Sequence, residues 1–153
     1  MSFAADYPDM YANMGRSERD ARAVISSDQC IIDETWYFLR GCLEIPIVGS
    51  GEVFLWGLWA SIKQAASEEI AASWEEAGRE QHHGPFKGRL ANSLSAHYTD
   101  CLSARLRVVI QPVGTRPLFV LEEPEHALAL AQGSGISKGA ALELVGTLMH
   151  NQR

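Results

Sequence analysis

The sequence predicts an α+β fold, an antiparallel β-sheet of about five to six strands with two to four helices packed on it. Three observations lead there. β-Branched and aromatic residues concentrate between Val24 and Ile62 around two turn signals, Asp33-Glu34 and Gly49-Ser50-Gly51-Glu52. Alternating strand patterns return at 105–111 and 117–122. Helical spacings fall outside these runs, at Ala66, Ile70 and Trp74 and again at Leu142, Val145, Leu148 and Met149. Strand runs with segregated helices define the α+β class.

Taken in order, residues 1–22 are polar and turn-rich and read as an irregular lead-in with one short helix; residues 23–150 read as a single α+β domain. Three antiparallel strands are predicted at 23–32, 35–48 and 53–61. Alternation on the second sorts Tyr37, Leu39, Leu43, Ile45 and Ile47 onto one face, and Trp36, Phe38, Arg40, Cys42, Glu44 and Pro46 onto the other. A tight turn at Ser50-Gly51 would place Ile45 opposite Trp56, Leu43 opposite Leu58 and Cys42 opposite Trp59. Ser61 and Gln64 have the spacing of a capping box for the helix that follows, with Gly78 as its stop. The glutamates Glu68, Glu69, Glu75 and Glu76 read as its solvated side. A short strand is expected at 86–90 and a hairpin over 105–122. Pro124 suits the first turn of a helix ending near Gly133, and Ser137 the cap of a last helix.

Composition narrows the function. The 153 residues carry a formal charge of −6, so the chain is a poor candidate for wrapping nucleic acid. No apolar run reaches the roughly 18 residues of a membrane span. The first residues lack the pattern of a secretory signal, so a cytoplasmic location is expected, with Cys30, Cys42 and Cys101 as free thiols. The stretch 84–121 is locally basic, with Lys87, Arg89, Arg105, Arg107 and Arg116 against Asp100 alone. Arg105 and Arg107 share one strand face, suited to holding an anion or, the favoured reading, to facing the glutamate-rich helix.

The most reactive-looking group is the polar face of the second strand and its neighbour. Arg40, Trp36, Trp59 and Ser61 form a candidate ligand-binding set, the guanidinium gripping a carboxylate or phosphate and an indole stacking beside it. Cys42 and Glu44 are the candidate catalytic groups; the bland reading has Arg40 and Glu44 paired on a covered sheet face. His82, His83, His97 and Cys101 lie within twenty residues of one another, yet adjacent histidines and a loop spacing fit a tetrahedral metal site poorly, so no metal or cofactor is expected.

Several of these segments carry a resemblance. Phe38-Leu39-Arg40-Gly41-Cys42-Leu43-Glu44-Ile45-Pro46-Ile47, then Gly49-Ser50 and Phe54-x-Trp56-Gly57-x-Trp59, resembles the signature of a bacterial family known only as domain-of-unknown-function family 2199. The likeness continues through Ser26–Asp33, Pro85–Gly88, Tyr98-Thr99-Asp100, Arg116-Pro117-Leu118 and Leu121-Glu122 to His126, Gln132 and Gly135-Ile136. It spans about residues 6 to 149 and implies neither a reaction nor a site. Similar members often begin with a C-x-x-C-G…His segment resembling half a zinc ribbon, absent here, so no metal role carries over. Ala127 and Ala131 stand where the likeness leads one to expect a proline and an acid.

The expectation is therefore a binding or accessory protein for a small polar ligand or a partner protein, without nucleic acid or membrane. The alternative is a small hydrolase- or isomerase-like enzyme using Cys42 or Glu44. Homodimerisation through an edge strand or the last helix is left open.

Overall fold

The structure is a computed structural model that describes residues 2–94, 98, 101–124 and 126–151. Its elements run β1 (Ser2–Ala4), α1 (Asp9–Ala12), α2 (Arg16–Arg22), β2 (Ala23–Ile25), β3 (Gln29–Ile32), β4 (Trp36–Pro46) and β5 (Val53–Ile62). They continue with α3 (Gln64–Ala72), α4 (Arg79–His82), β6 (Phe86–Leu90), β7 (Arg105–Val109), β8 (Leu118–Leu121), α5 (Ala127–Ser134) and α6 (Lys138–Asn151). The class is α+β, but among the described residues there are eight strands and six helices, more of each than the sequence suggests.

The sheet is also not open. Strands β4 to β8 pair antiparallel in chain order, and β8 then returns to β4 in parallel, closing a five-stranded barrel. Five strands that alternate in direction leave the first and last pointing the same way, so the closing pair must be parallel. Closure rests on the match of Cys42 with Leu118 and on the Cys42 N–H, which donates to the Pro117 carbonyl at 2.8 Å. Gly41 permits it, since a Cβ there would lie 2.5 Å from the Phe119 ring. β3 and β2 extend the sheet beyond the first half of β4, while β1 adds to β5 in parallel.

Odd–even sorting on β4 holds. Leu39, Leu43 and Ile45 turn inward with Phe54, Trp56, Leu58, Leu106, Val108 and Phe119, and α5 and α6 add Leu128, Ala131, Ala141, Leu144 and Leu148. The register, however, differs by two residues from the tight-turn expectation: Leu43 faces Trp56, Cys42 faces Gly57 and Arg40 faces Trp59. The reason is the turn. Residues 48–51 form a four-residue loop with both Gly49 and Gly51 at positive φ, and the Ile47 N–H donates to Glu52. A shift of two keeps every side chain on its face.

Residues 2–22, expected to be irregular, carry β1, α1 and α2 and cover the outer side of the sheet. Met14, Cys30, Ile32, Phe38, Trp59 and Ala91 form a second buried cluster there. α3 starts at Gln64 without the expected capping box: Ser61 Oγ donates to the Arg89 carbonyl at 3.4 Å instead, and Gln64 bonds Glu68. α5 begins after His126 rather than at Pro124, and Gly135 at φ +82 closes it. Ser137 caps α6 through the Ala140 N–H. The buried stripe of α6 is Ala141, Leu144 and Leu148, whereas Leu142 and Met149 face outward.

Candidate functional site

The residues singled out from the sequence part into three places. Trp59 is fully buried under the N-terminal segment, its indole N–H donating to the Ala5 carbonyl at 3.1 Å, so it offers no open stacking wall. Alternation placed it outward; what it could not place was the chain that lies over it. Arg40 sits against this indole, 5.6 Å from the ring centroid, and donates to the Ser27 carbonyl at 3.3 Å. No ion pair joins Arg40 to Glu44 among the described residues.

Cys42 is half-buried at the barrel seam. Burial pushes its thiol above the ordinary value, the Arg116 guanidinium pulls the other way, and Glu44 adds to the rise. That environment favours a protonated thiol over a nucleophilic thiolate. Glu44 is exposed. None of the three clefts described below is lined by Arg40, Cys42 or Glu44.

Trp36 and Ser61 belong to the third place, a cleft of about 570 Å³. Its lining comes from the start of β4, the end of β5, the middle of β6, the start of β7 and the residue after β8. Cross-strand register explains its charge. Lys87 on β6 lies directly opposite Arg107 on β7, and Arg89 directly opposite Arg105. All four alternate with the inward-facing Leu106 and Val108 and are exposed. Lys63, one position beyond the end of β5, joins the lining beside Lys87.

Like charges directly opposite each other on a sheet are destabilising. Only part of this charge is answered. Arg105 pairs with Glu123 at 3.3 Å, Arg89 donates to the Ser103 carbonyl at 3.1 Å, and Glu122 lines the cleft. Lys63, Lys87 and Arg107 have no ion-pair partner among the described residues. The glutamates expected to face Arg105 and Arg107 form no ion pair with them among the described residues: Glu69 of α3 and Glu76 beyond it each hold a ring nitrogen of His83 at 2.8 Å, and Glu68 accepts from Gln64.

Trp36 stands 49% exposed at the edge of this cleft. It follows the turn of the three-residue loop 33–35, in which Asp33 and Glu34 adopt positive φ and the Thr35 N–H donates to the Ile32 carbonyl at 3.0 Å. Arg22 fixes that turn with two bonds to Asp33 at 2.7 and 2.6 Å, and holds its carboxyl below the usual range.

Two smaller clefts flank Trp74, one against Ser26–Gln29 and one against Arg79, Val113–Arg116 and Asp28, where Arg116 pairs with Asp28 at 2.9 Å. Elsewhere, Cys101 Sγ lies 3.7 Å from His126 Nε2 and donates to the Tyr98 carbonyl at 2.9 Å. His126 Nδ1 accepts the Leu128 N–H, so the neutral ring keeps its proton on Nε2 and points it at the sulfur. This thiol is almost fully buried. His97 lies outside the described residues. No group of three or more His, Cys, Asp or Glu suited to a metal ion occurs among the described residues, and no described helix is long and apolar enough to cross a membrane.

Fold and site together define a small α+β barrel protein with a cationic, tryptophan-edged cleft on its strands. The chain belongs to DUF2199, a family of uncharacterised proteins conserved in bacteria, whose profile matches residues 1–136. No curated protein and no solved structure matches it.

Proposed function

We propose that this protein is a binding or accessory protein for a small organic anion, taken into the cleft edged by Trp36 and Ser61 and lined by Lys63, Lys87, Arg89 and Arg105. One observation carries the reading: two like-charged cross-strand pairs are set side by side, with Lys87, Arg89 and Arg105 lining a cleft and Arg107 exposed next to Lys87, within a chain whose net charge is negative. A sheet surface chosen for stability alone would alternate the signs. The cleft volume falls in the range of roughly 300–1,000 Å³ usual for small-molecule sites, which favours a small ligand over a docked partner protein.

The enzymatic alternative on Cys42 or Glu44 has no comparable support, because the thiol is pushed toward its protonated form and neither residue lines a cleft with a base beside it. Thermal unfolding followed across a panel of phosphate, pyrophosphate, citrate and acetate at constant ionic strength tests the reading. Multivalent anions should raise the melting temperature of the wild type, and Lys87→Gln/Arg107→Gln should lose that rise while still melting cooperatively. A flat response of the wild type to every anion would overturn it.

A further inference from the structure

We propose that the ligand of this cleft is a nucleoside polyphosphate, with its phosphates across the two cation pairs and its base against Trp36. This rests on the anion reading and adds the ligand's chemical class. Neighbouring strands lie roughly 4.8 Å apart and same-face residues along a strand roughly 6.7 Å apart. Lys87, Arg107, Arg89 and Arg105 therefore root at the corners of a rectangle of about 5 by 7 Å.

A carboxylate carries one charge and would leave one cation of each facing pair unanswered. A terminal phosphoryl group carries roughly two, with enough acceptor oxygens to engage both a lysine and an arginine. Two such pairs one step apart on their strands match a chain of linked phosphates rather than a single group. Glu122 at the rim and Glu123 on Arg105 leave the lining with a net positive charge.

The other half of the ligand follows from Trp36. A half-exposed indole on the wall of a charged cleft provides a flat apolar face, which inorganic anions do not use and a purine or pyrimidine does. Ser61 and Gln64 line the same cleft and add neutral polar groups to its wall.

Calorimetric titration of the whole protein with ATP, tripolyphosphate, citrate, adenosine and a ten-nucleotide RNA, at about 0.15 M salt, tests this. ATP should bind about tenfold more tightly than tripolyphosphate. Trp36→Ala should bring ATP down to the tripolyphosphate level while leaving tripolyphosphate unchanged, and Lys87→Gln/Arg107→Gln should weaken both. Equal affinity for ATP and tripolyphosphate, or indifference of ATP to Trp36→Ala, overturns the nucleotide assignment and leaves the anion cleft standing. Citrate binding without ATP binding does the same, and RNA binding more tightly than ATP overturns it in favour of a nucleic acid. Failure of ATP, tripolyphosphate and citrate alike overturns both readings. Melting temperatures of the variants within a few degrees of the wild type establish that the fold is intact.

Discussion

His83 is held between Glu69 at the end of α3 and Glu76 in the turn that follows, with both ring nitrogens engaged at 2.8 Å. Both ring nitrogens can donate at once only in the protonated ring, and the hydrogen bond to Glu69 leads the causes that raise its pKa above 6.5. The contribution to stability is then fully present below the unfolded value near 6.5 and is lost as pH rises through the raised folded value. His83→Gln should flatten the pH dependence of stability in that window, measured by denaturant unfolding between pH 5 and 9; an unchanged profile would mean the contacts contribute nothing. Arg79 is the contrasting case, a buried cation answered by carbonyl dipoles and a ring face, with no ion pair among the described residues. Its guanidinium donates to the carbonyls of Trp74, Gln111, Pro112 and Thr115 and lies 5.1 Å from the Trp74 ring. Arg79→Lys keeps the charge but loses the planar fork, so a loss of about 2 kcal/mol or more in unfolding free energy is expected.

Among the elements, β4 holds the most information. Its alternation was legible in the sequence, and so were the extent of β6 and the hairpin of β7 and β8, because each depends on neighbours within a few residues. Barrel closure was not. It depends on one parallel match between Cys42 and Leu118, distant in sequence, and on a glycine whose missing Cβ makes room for Phe119. The β4–β5 register was missed by two residues because two closely spaced glycines allow a tight turn or a longer loop, and the chain uses the loop. Trp59 looked like a stacking wall because the expected register put it opposite Cys42 on the face that also holds Arg40; the covering segment announced itself only through Met14 and a few aromatic residues in polar sequence. Gly41→Ala should push Phe119 out of place and cost about 2 kcal/mol, with loss of amide-exchange protection concentrated at the Cys42–Pro117 seam. A variant as stable as wild type would show that the seam accommodates a methyl group without strain.

At the scale of the whole molecule, an acidic chain sets four of its 13 Lys and Arg residues, Lys87, Arg89, Arg105 and Arg107, face to face on two adjacent strands. The excess of positive charge in 84–121 was visible from the sequence, but its pairing across β6 and β7 was not, since that requires the register. Trp36 and Ser61 were expected in one set with Arg40 and Trp59; they line a cleft with Lys63, Lys87, Arg89 and Arg105, and Arg40 and Trp59 do not. A surface that sacrifices stability for a ligand has a signature that a purely structural surface lacks. The decisive measurement is the unfolding free energy of Lys87→Glu together with its affinity for tripolyphosphate. Relieving the repulsion with Arg107 and Lys63 should stabilise the unliganded protein by about 0.5 kcal/mol while abolishing tripolyphosphate binding; a variant that loses stability, or that still binds the anion as the wild type does, would contradict a cleft built to receive negative charge.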